Sequence, residues 1–290
     1  MNAIIQLDHE FRYGFYCVAY LDILGQRRLL RALPRIPQKD AETTKLLADT
    51  AGRVLRLRKR LSDCFEQFQQ STGILDSLPQ DTQERIRIAK KAAKYRYFSD
   101  SIIMEIAFGG DTEQVAPITG VYASMWACCI LHGIALMEGC PLRGGIDVGP
   151  GLDISENEAY GPVLERAHYL ESKQADYPRV LVGEGLIAYL DAIVNATPTT
   201  PLSRLTQSLA VHCKDLITID ADGLPMLDFL GEKMAKAHAP KDRETSFGLI
   251  SDYVSGQEEF AIAQRDEKHA SRYLKLGAYL RERSVYWKNS

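Results

Sequence analysis

The chain has 290 residues, of which 46% are apolar and 25% charged, with a formal net charge of −3. That length can bury one large core or two modest ones, and the near balance of charge excludes a general attraction to nucleic acid or anionic membranes. Six cysteines, Cys17, Cys64, Cys128, Cys129, Cys140 and Cys213, fall at no metal-ligand spacing and several stand in apolar runs, so they read as reduced core thiols of a cytoplasmic protein.

The N-terminus lacks a basic start followed by an apolar stretch, so no secretory signal is expected. The most apolar segment, 125–137, is interrupted by His132 and Gly133 and is shorter than the roughly 18 residues that span a bilayer. A chain neither exported nor embedded in a membrane is expected, unless a partner tethers it.

Residues 15–21 read as a buried strand, closed by Asp22 in VAYLDILG. Gly25 then opens a basic helical stretch, QRRLLRAL, which stops at Pro34 and Pro37. From 40 to 70 the apolar residues Val54, Leu57, Leu61, Cys64, Phe65 and Phe68 recur at steps of three and four, one face of a long helix. Its other face, with Arg53, Arg56, Arg58, Lys59 and Arg60, reads first as solvated surface and second as an anion or partner site. A loop at 77–81 leads to a second basic helix ending near Lys94. Residues 95–98 and 101–108 form a hairpin around Ser99 and Asp100.

Residues 112–138 read as a helix ended by Gly139 and Pro141, and 142–148 as a strand closed by Gly149, Pro150 and Gly151. Gly161 and Pro162 start a helix running to about Ala175, and 179–182 is a short strand. After Ala196 come the polar connection TPTTPLS, two short strands at 216–219 and 226–229 joined around Asp222 and Gly223, and two helices, the second with Tyr273, Leu276, Tyr279 and Leu280 on one face. No internal repeat or low-complexity tract occurs. The alternation, with a hairpin at its centre, indicates an α+β sandwich with a ferredoxin-like βαββαβ core, a helical insertion at about 40–94, and an extension. A core domain at 1–192 and a C-terminal extension at 193–290 are expected, the latter structural because no chemistry is legible in it.

A carboxylate closing an apolar strand needs a partner or a metal. Taken singly, Asp22 reads first as the N-cap of the next helix and Asp100 as a turn residue; two such carboxylates together point to a shared Mg²⁺ or Mn²⁺ site. They are followed by LRGGIDVGPG at 142–151 and AYGPVLERAHYLESKQADYPRVLV at 159–182. In this order, VAYLDILG, YFSDSI and the two later stretches resemble the catalytic domain of class III nucleotide cyclases, and more closely the bacterial pyrimidine cyclases of Pycsar anti-phage systems, over residues 12–192.

That resemblance implies that Asp22 and Asp100 bridge two divalent ions, with the Ile23 carbonyl as a further ligand, and that the turn at Gly25 offers backbone N–H groups to a triphosphate. Arg96 stands where purine cyclases carry a lysine. Strand alternation puts it on the side of Asp100 and Tyr20 on that of Asp22. A guanidinium only donates, which suits O4 of uracil and favours UTP over CTP; Tyr97 is a further candidate for the base. By the same resemblance Glu165 and Tyr169 occupy the positions of the ribose asparagine and the transition-state arginine, so the substitute is Arg166, one residue from Glu165, or an arginine of the inserted helices. Arg143 is expected to brace its strand. The single set of motifs implies a homodimer with active sites at the interface, and the family role implies cyclic UMP read by a separate effector. The competing readings are a cytidylate or purine cyclase of the same fold, and a non-catalytic cyclase-like sensor or interaction module.

Overall fold

The computed structural model describes residues 4–6, 10–25, 30, 41–70, 80, 93–108, 118–155 and 158–288. Strands β1 (Ile4–Gln6) and β2 (Glu10–Ile23) precede helix α1 (Ala41–Gln70), the hairpin β3 (Ala93–Phe98) and β4 (Ser101–Phe108), helix α2 (Ile118–Met137), and strands β5 (Leu142–Ser155) and β6 (Glu158–Tyr160). Helix α3 (Pro162–Tyr169) runs on into a π-helical turn, Leu170–Gln174, before β7 (Val180–Val182), α4 (Glu184–Val194) and α5 (Pro201–Lys214). The chain then forms the hairpin β8 (Ile217–Ile219) and β9 (Pro225–Leu227) and ends in helices α6 (Glu232–Ala237), α7 (Pro240–Ala263), α8 (Glu267–Arg283) and α9 (Val285–Lys288). Nine strands of the described residues join one sheet in the order β3-β4-β2-β5-β7-β9-β8, with β1 on β2 and β6 on β5. The antiparallel order β3-β4-β2-β5, with α1 and α2 as crossovers, is the split βαββαβ arrangement of the expected α+β class.

Alternation along β2 separates two faces. Cys17, Ala19, Leu21 and Ile23 enter the main core, where α1 adds Leu57, Leu61 and Phe65 at four-residue steps and α2 packs alongside. Fully burying one such side chain stabilises by about 1.5–3 kcal/mol. Val18 and Tyr20 face the other way, toward Val163 and Ala167 of α3. Gly145 makes that seat: a Cβ there would stand 2.4 Å from the Ala167 carbonyl oxygen, so only glycine lets α3 lie directly on β5.

Helix α2 has the length and composition of a membrane span, longer than the interrupted segment seen in the sequence, yet 72% of its most apolar 18-residue stretch is buried inside the protein. A helix apolar on all sides is then a core helix. All six cysteines are free thiols, and five of them are buried. Burial pushes the Cys128 thiol up to about 12, which keeps it protonated and inert.

Several boundaries differ from expectation. The second strand begins at Glu10 and ends at Ile23, so Asp22 lies inside it. β3 begins at Ala93, two residues early, while the basic helix before it and most of QRRLLRAL lie outside the described residues. β5 runs through Gly149, Pro150 and Gly151 because β2 pairs along that whole length. β7 pairs only Gly144–Ile146 and β6 only Leu152–Ser155, so β5 has an open edge around Pro150, the setting in which a strand tolerates proline.

The sheet also crosses the boundary expected at 192, since Leu181 of β7 pairs with Met226 of β9. Arg179, wholly buried, locks that junction. It donates to Asp222 (2.6 and 3.0 Å), to Asp220 and to the Gln174 carbonyl (3.1 Å). The hydrogen bond from Arg179 holds the Asp222 carboxyl below its ordinary pKa. The turn around Asp222 and Gly223 is thereby tied to the segment before β7.

Candidate active site

Asp22 is flanked in register by Ser101 of β4 and Arg143 of β5. Ser101 Oγ donates to Asp22 Oδ1 at 3.1 Å, and Arg143 Nη2 lies 3.6 Å from Oδ2. Arg143 Nε is also 2.6 Å from Glu171 Oε1. Glu171 is buried, brought against the sheet by the π-helical turn that extends α3, a local widening often found at functional sites. The Asp22 carboxylate is therefore fixed from both neighbouring strands, and Arg143 braces its strand while also reaching the site.

Asp100 sits in the two-residue turn of the β3–β4 hairpin, after Ser99 at φ 53°. Arg58 of α1 holds that turn. Its Nη2 donates to the Ser99 carbonyl at 2.7 Å, and its guanidinium carbon stands 4.3 Å from the Tyr97 ring centroid. The basic face of α1 is thus not simply solvated: Arg58 grips the hairpin and Arg60 pairs with Glu138, while Lys59 bonds locally, to Asp63.

Asp22 and Asp100 line the same cleft, of about 720 Å³, together with Ile23, Gly25 and Arg143. That volume lies within the range of about 300–1,000 Å³ usual for small-molecule sites. Gly25 follows the strand at φ +91° with open space around it, so glycine is needed there for the turn rather than for a close approach. Another part of the lining comes from Arg53 of α1 and from Tyr253, Lys268, His269 and Arg272 of α7 and α8. The Tyr253 and Tyr273 hydroxyls are 3.2 Å apart, and burial raises the pKa of both, with Arg53 pulling Tyr253 the other way. Sequence reasoning put Arg53 on a face read first as surface, with an anion site only the second reading, and missed every cleft residue of the extension. None of them stands in a recognisable motif.

Other expected contacts are not gathered in this cleft. The register Arg96–Ile103–Tyr20 puts Arg96 on the Asp22 face, but its guanidinium runs toward the opposite end of the sheet. It is buried in ion pairs with Glu105 and Asp153 (2.9 Å) and donates to the carbonyls of Ser155 (3.1 Å) and Glu158 (3.2 Å). Those four acceptors engage both Nη groups, and Nε is buried, so in this geometry Arg96 is a structural clamp. Tyr20 packs its ring 5.0 Å from that of His168, and Tyr97 lies on the opposite face under Arg58. Glu165 is exposed. Arg166 Nε pairs with the buried Asp147 at 2.6 Å and its Nη2 donates to the Val148 carbonyl at 3.0 Å, while Asp147 also accepts from the Leu186 N–H.

Among the described residues no group of three or more His, Cys, Asp or Glu side chains is placed to hold a metal. Two carboxylates and a neighbouring backbone carbonyl are nonetheless hard oxygen donors. Mg²⁺ is commonly held through one or two carboxylates, with water and substrate phosphate completing its shell. Asp22, Asp100 and Ile23 fit that pattern. The Asp22 carboxylate engages Ser101 and Arg143 across the sheet, and the start of the helix it was expected to cap lies outside the described residues.

No family model and no curated protein matches the chain. Among solved structures it is similar to the crystal structure of the adenylyl cyclase CyaB from P. aeruginosa, at 15% identity and a TM-score of 0.36, over 75% of this chain and 93% of that one. A likeness at this level assigns no chemistry.

Proposed function

We propose that the protein is a nucleotide cyclase with its reaction centre at Asp22 and Asp100, that UTP is its substrate, and that cyclic UMP is made as the second messenger of an anti-phage system of the Pycsar kind. One observation carries the cyclase reading: two carboxylates far apart in sequence, one at the end of a central strand and one in a hairpin turn, line a single cleft. The preference for UTP rests on the order of the four motifs, now without help from Arg96.

In the reaction the ribose 3′ oxygen bonds to the α-phosphorus as the bond to the β-phosphate oxygen breaks, and the 3′ proton is released with pyrophosphate. Two divalent ions bound by Asp22, Asp100 and the Ile23 carbonyl would activate the 3′ oxygen and stabilise charge on the phosphates. Ser101 and Arg143 keep the Asp22 carboxylate in one orientation, and Arg58 keeps the Asp100 turn in place. The turn at Gly25 presents backbone to the triphosphate. Tyr20, Tyr97, Glu165 and Arg166 lie outside the protomer's own cleft and are assigned to contacts delivered across a homodimer. Specific activity should then fall as the protein is diluted through its dimer dissociation constant, and a monomer of constant activity would remove that assignment.

The deciding assay is incubation of the purified protein with each of the four ribonucleoside triphosphates and Mn²⁺, with product identification. Cyclic UMP is the expected product. Cyclic CMP or a cyclic purine nucleotide would move the base preference, and no cyclic product from any of them would overturn the enzyme reading.

A further inference from the structure

The cleft carries more positive charge than its two aspartates can use. Arg143 is already engaged by Asp22 and Glu171, yet Arg53, Lys268 and Arg272 also line the cavity. Among the described residues neither Arg53 nor Lys268 makes an ion pair, and Arg272 spends only its Nε, donating to the Asp176 carbonyl at 2.8 Å. Asp266, the acidic lining residue of this region, caps α8 by accepting from the His269 N–H at 3.0 Å. Elsewhere the protein pairs its buried or half-buried arginines closely, as at Arg96, Arg166 and Arg179. Cations without a fixed partner, gathered in a cleft of ligand size, are available to an anion from outside.

We infer that Arg53, Lys268 and Arg272 form a polyphosphate subsite, so that the C-terminal helices α7 and α8 complete the catalytic cleft and hold the β- and γ-phosphates and then the departing pyrophosphate. The assignment to a nucleotide rests on the cyclase reading; the affinity for a polyphosphate does not. Two kinds of charge in one cavity match the two ends of such a ligand: carboxylates for the metal-bridged α-phosphate, and guanidinium and ammonium groups for the terminal phosphates. The subsite also gives the extension a chemical role that its sequence does not announce. Arg53 reaches it from the insertion and Lys268 and Arg272 from the tail, so neither segment could be removed without opening the cleft.

The test is calorimetric binding of inorganic tripolyphosphate with Mg²⁺ to the full-length protein, compared with the Lys268→Ala, Arg272→Gln and Arg53→Gln variants and with Arg281→Ala, an exposed cation of α8 outside the cleft. Each cleft variant should bind about tenfold more weakly, the lower end expected for losing a charged hydrogen bond, and Arg281→Ala should match wild type. Lys268 is exposed and makes no hydrogen bond or ion pair among the described residues, so its variant should melt as wild type does and keeps the test valid even where Arg272→Gln is destabilised. In turnover assays the same changes should raise the triphosphate KM. Tripolyphosphate binding by wild type that is weakened in Lys268→Ala supports the subsite even when no triphosphate is cyclised, an outcome that would sink the cyclase reading alone. Absence of binding by wild type, or equal binding by all the variants, overturns the subsite.

Discussion

At one end of the α3-covered face of the sheet, Arg96 is sealed against Glu105 and Asp153; at the other, Asp22 opens on a cleft whose arginines and lysine face solvent. Both regions are rich in charge, and the strand register puts Arg96 and Asp22 on the same face. They differ in satisfaction. A buried guanidinium with carboxylate and carbonyl partners is part of the scaffold, whereas cations left without partners in an accessible cavity are available to a ligand. Face is set by a two-residue period, but where the end of a long side chain goes along that face is set by the acceptors it meets.

The sharpest way to break this contrast is at the carboxylates. Asp22→Asn or Asp100→Asn should lower cyclic nucleotide formation by at least about 10²-fold, the scale of losing one electrostatic stabiliser of a transition state, with the melting temperature preserved. Either variant turning over at near wild-type rate with Mn²⁺ would take the reaction out of the cleft. At the sealed end the expected damage is to folding. Arg96→Ala leaves Glu105 uncompensated and should cost about 3–5 kcal/mol in chemical denaturation, much of it regained by removing both charges in Arg96→Met with Glu105→Leu. The UTP to CTP turnover ratio of the double variant should equal that of wild type; a shifted ratio would return Arg96 to base selection.

His132 sharpens the contrast differently, as a buried titratable group without a charged partner. It stands in α2 against Phe229, with ring centroids 4.2 Å apart, and burial pushes its pKa down to about 3, with the Pro178 backbone opposing. The folded pKa lies below the unfolded value near 6.5, so the unfolded chain takes up the proton first. Stability is fully present above about pH 6.5 and falls by about 1.4 kcal/mol per unit as the pH drops toward 3. His132→Phe should flatten that slope between pH 7 and pH 5, and an unchanged slope would place the acid sensitivity elsewhere. The smallest effect is expected at Arg58. Freed from it, the Ser99 carbonyl no longer fixes the Asp100 turn, and kcat should fall about tenfold in Arg58→Ala with little change in KM, since misplacement acts on the chemical step. Arg58→Lys should restore part of the rate, and a purely structural role would instead move only the melting temperature.

The sequence by itself determined what local chemistry controls. The period of Leu57, Leu61 and Phe65 made a helix; the apolar run before Asp22 made a central strand; Ser99 and Asp100 made a turn; and Gly161 with Pro162 started α3. It also singled out Asp22 and Asp100, because an acidic residue closing an apolar strand stands out against its neighbours. Only the tertiary structure decided the rest. It turned Arg96 toward Glu105 and Asp153, set Glu171 on Arg143, placed Arg58 on the Asp100 turn, and brought Arg53, Lys268 and Arg272 to the cleft. These contacts join segments distant in sequence, and a cation one face of a helix shows to solvent reads the same as one it shows to a cavity until the opposing wall has folded into place.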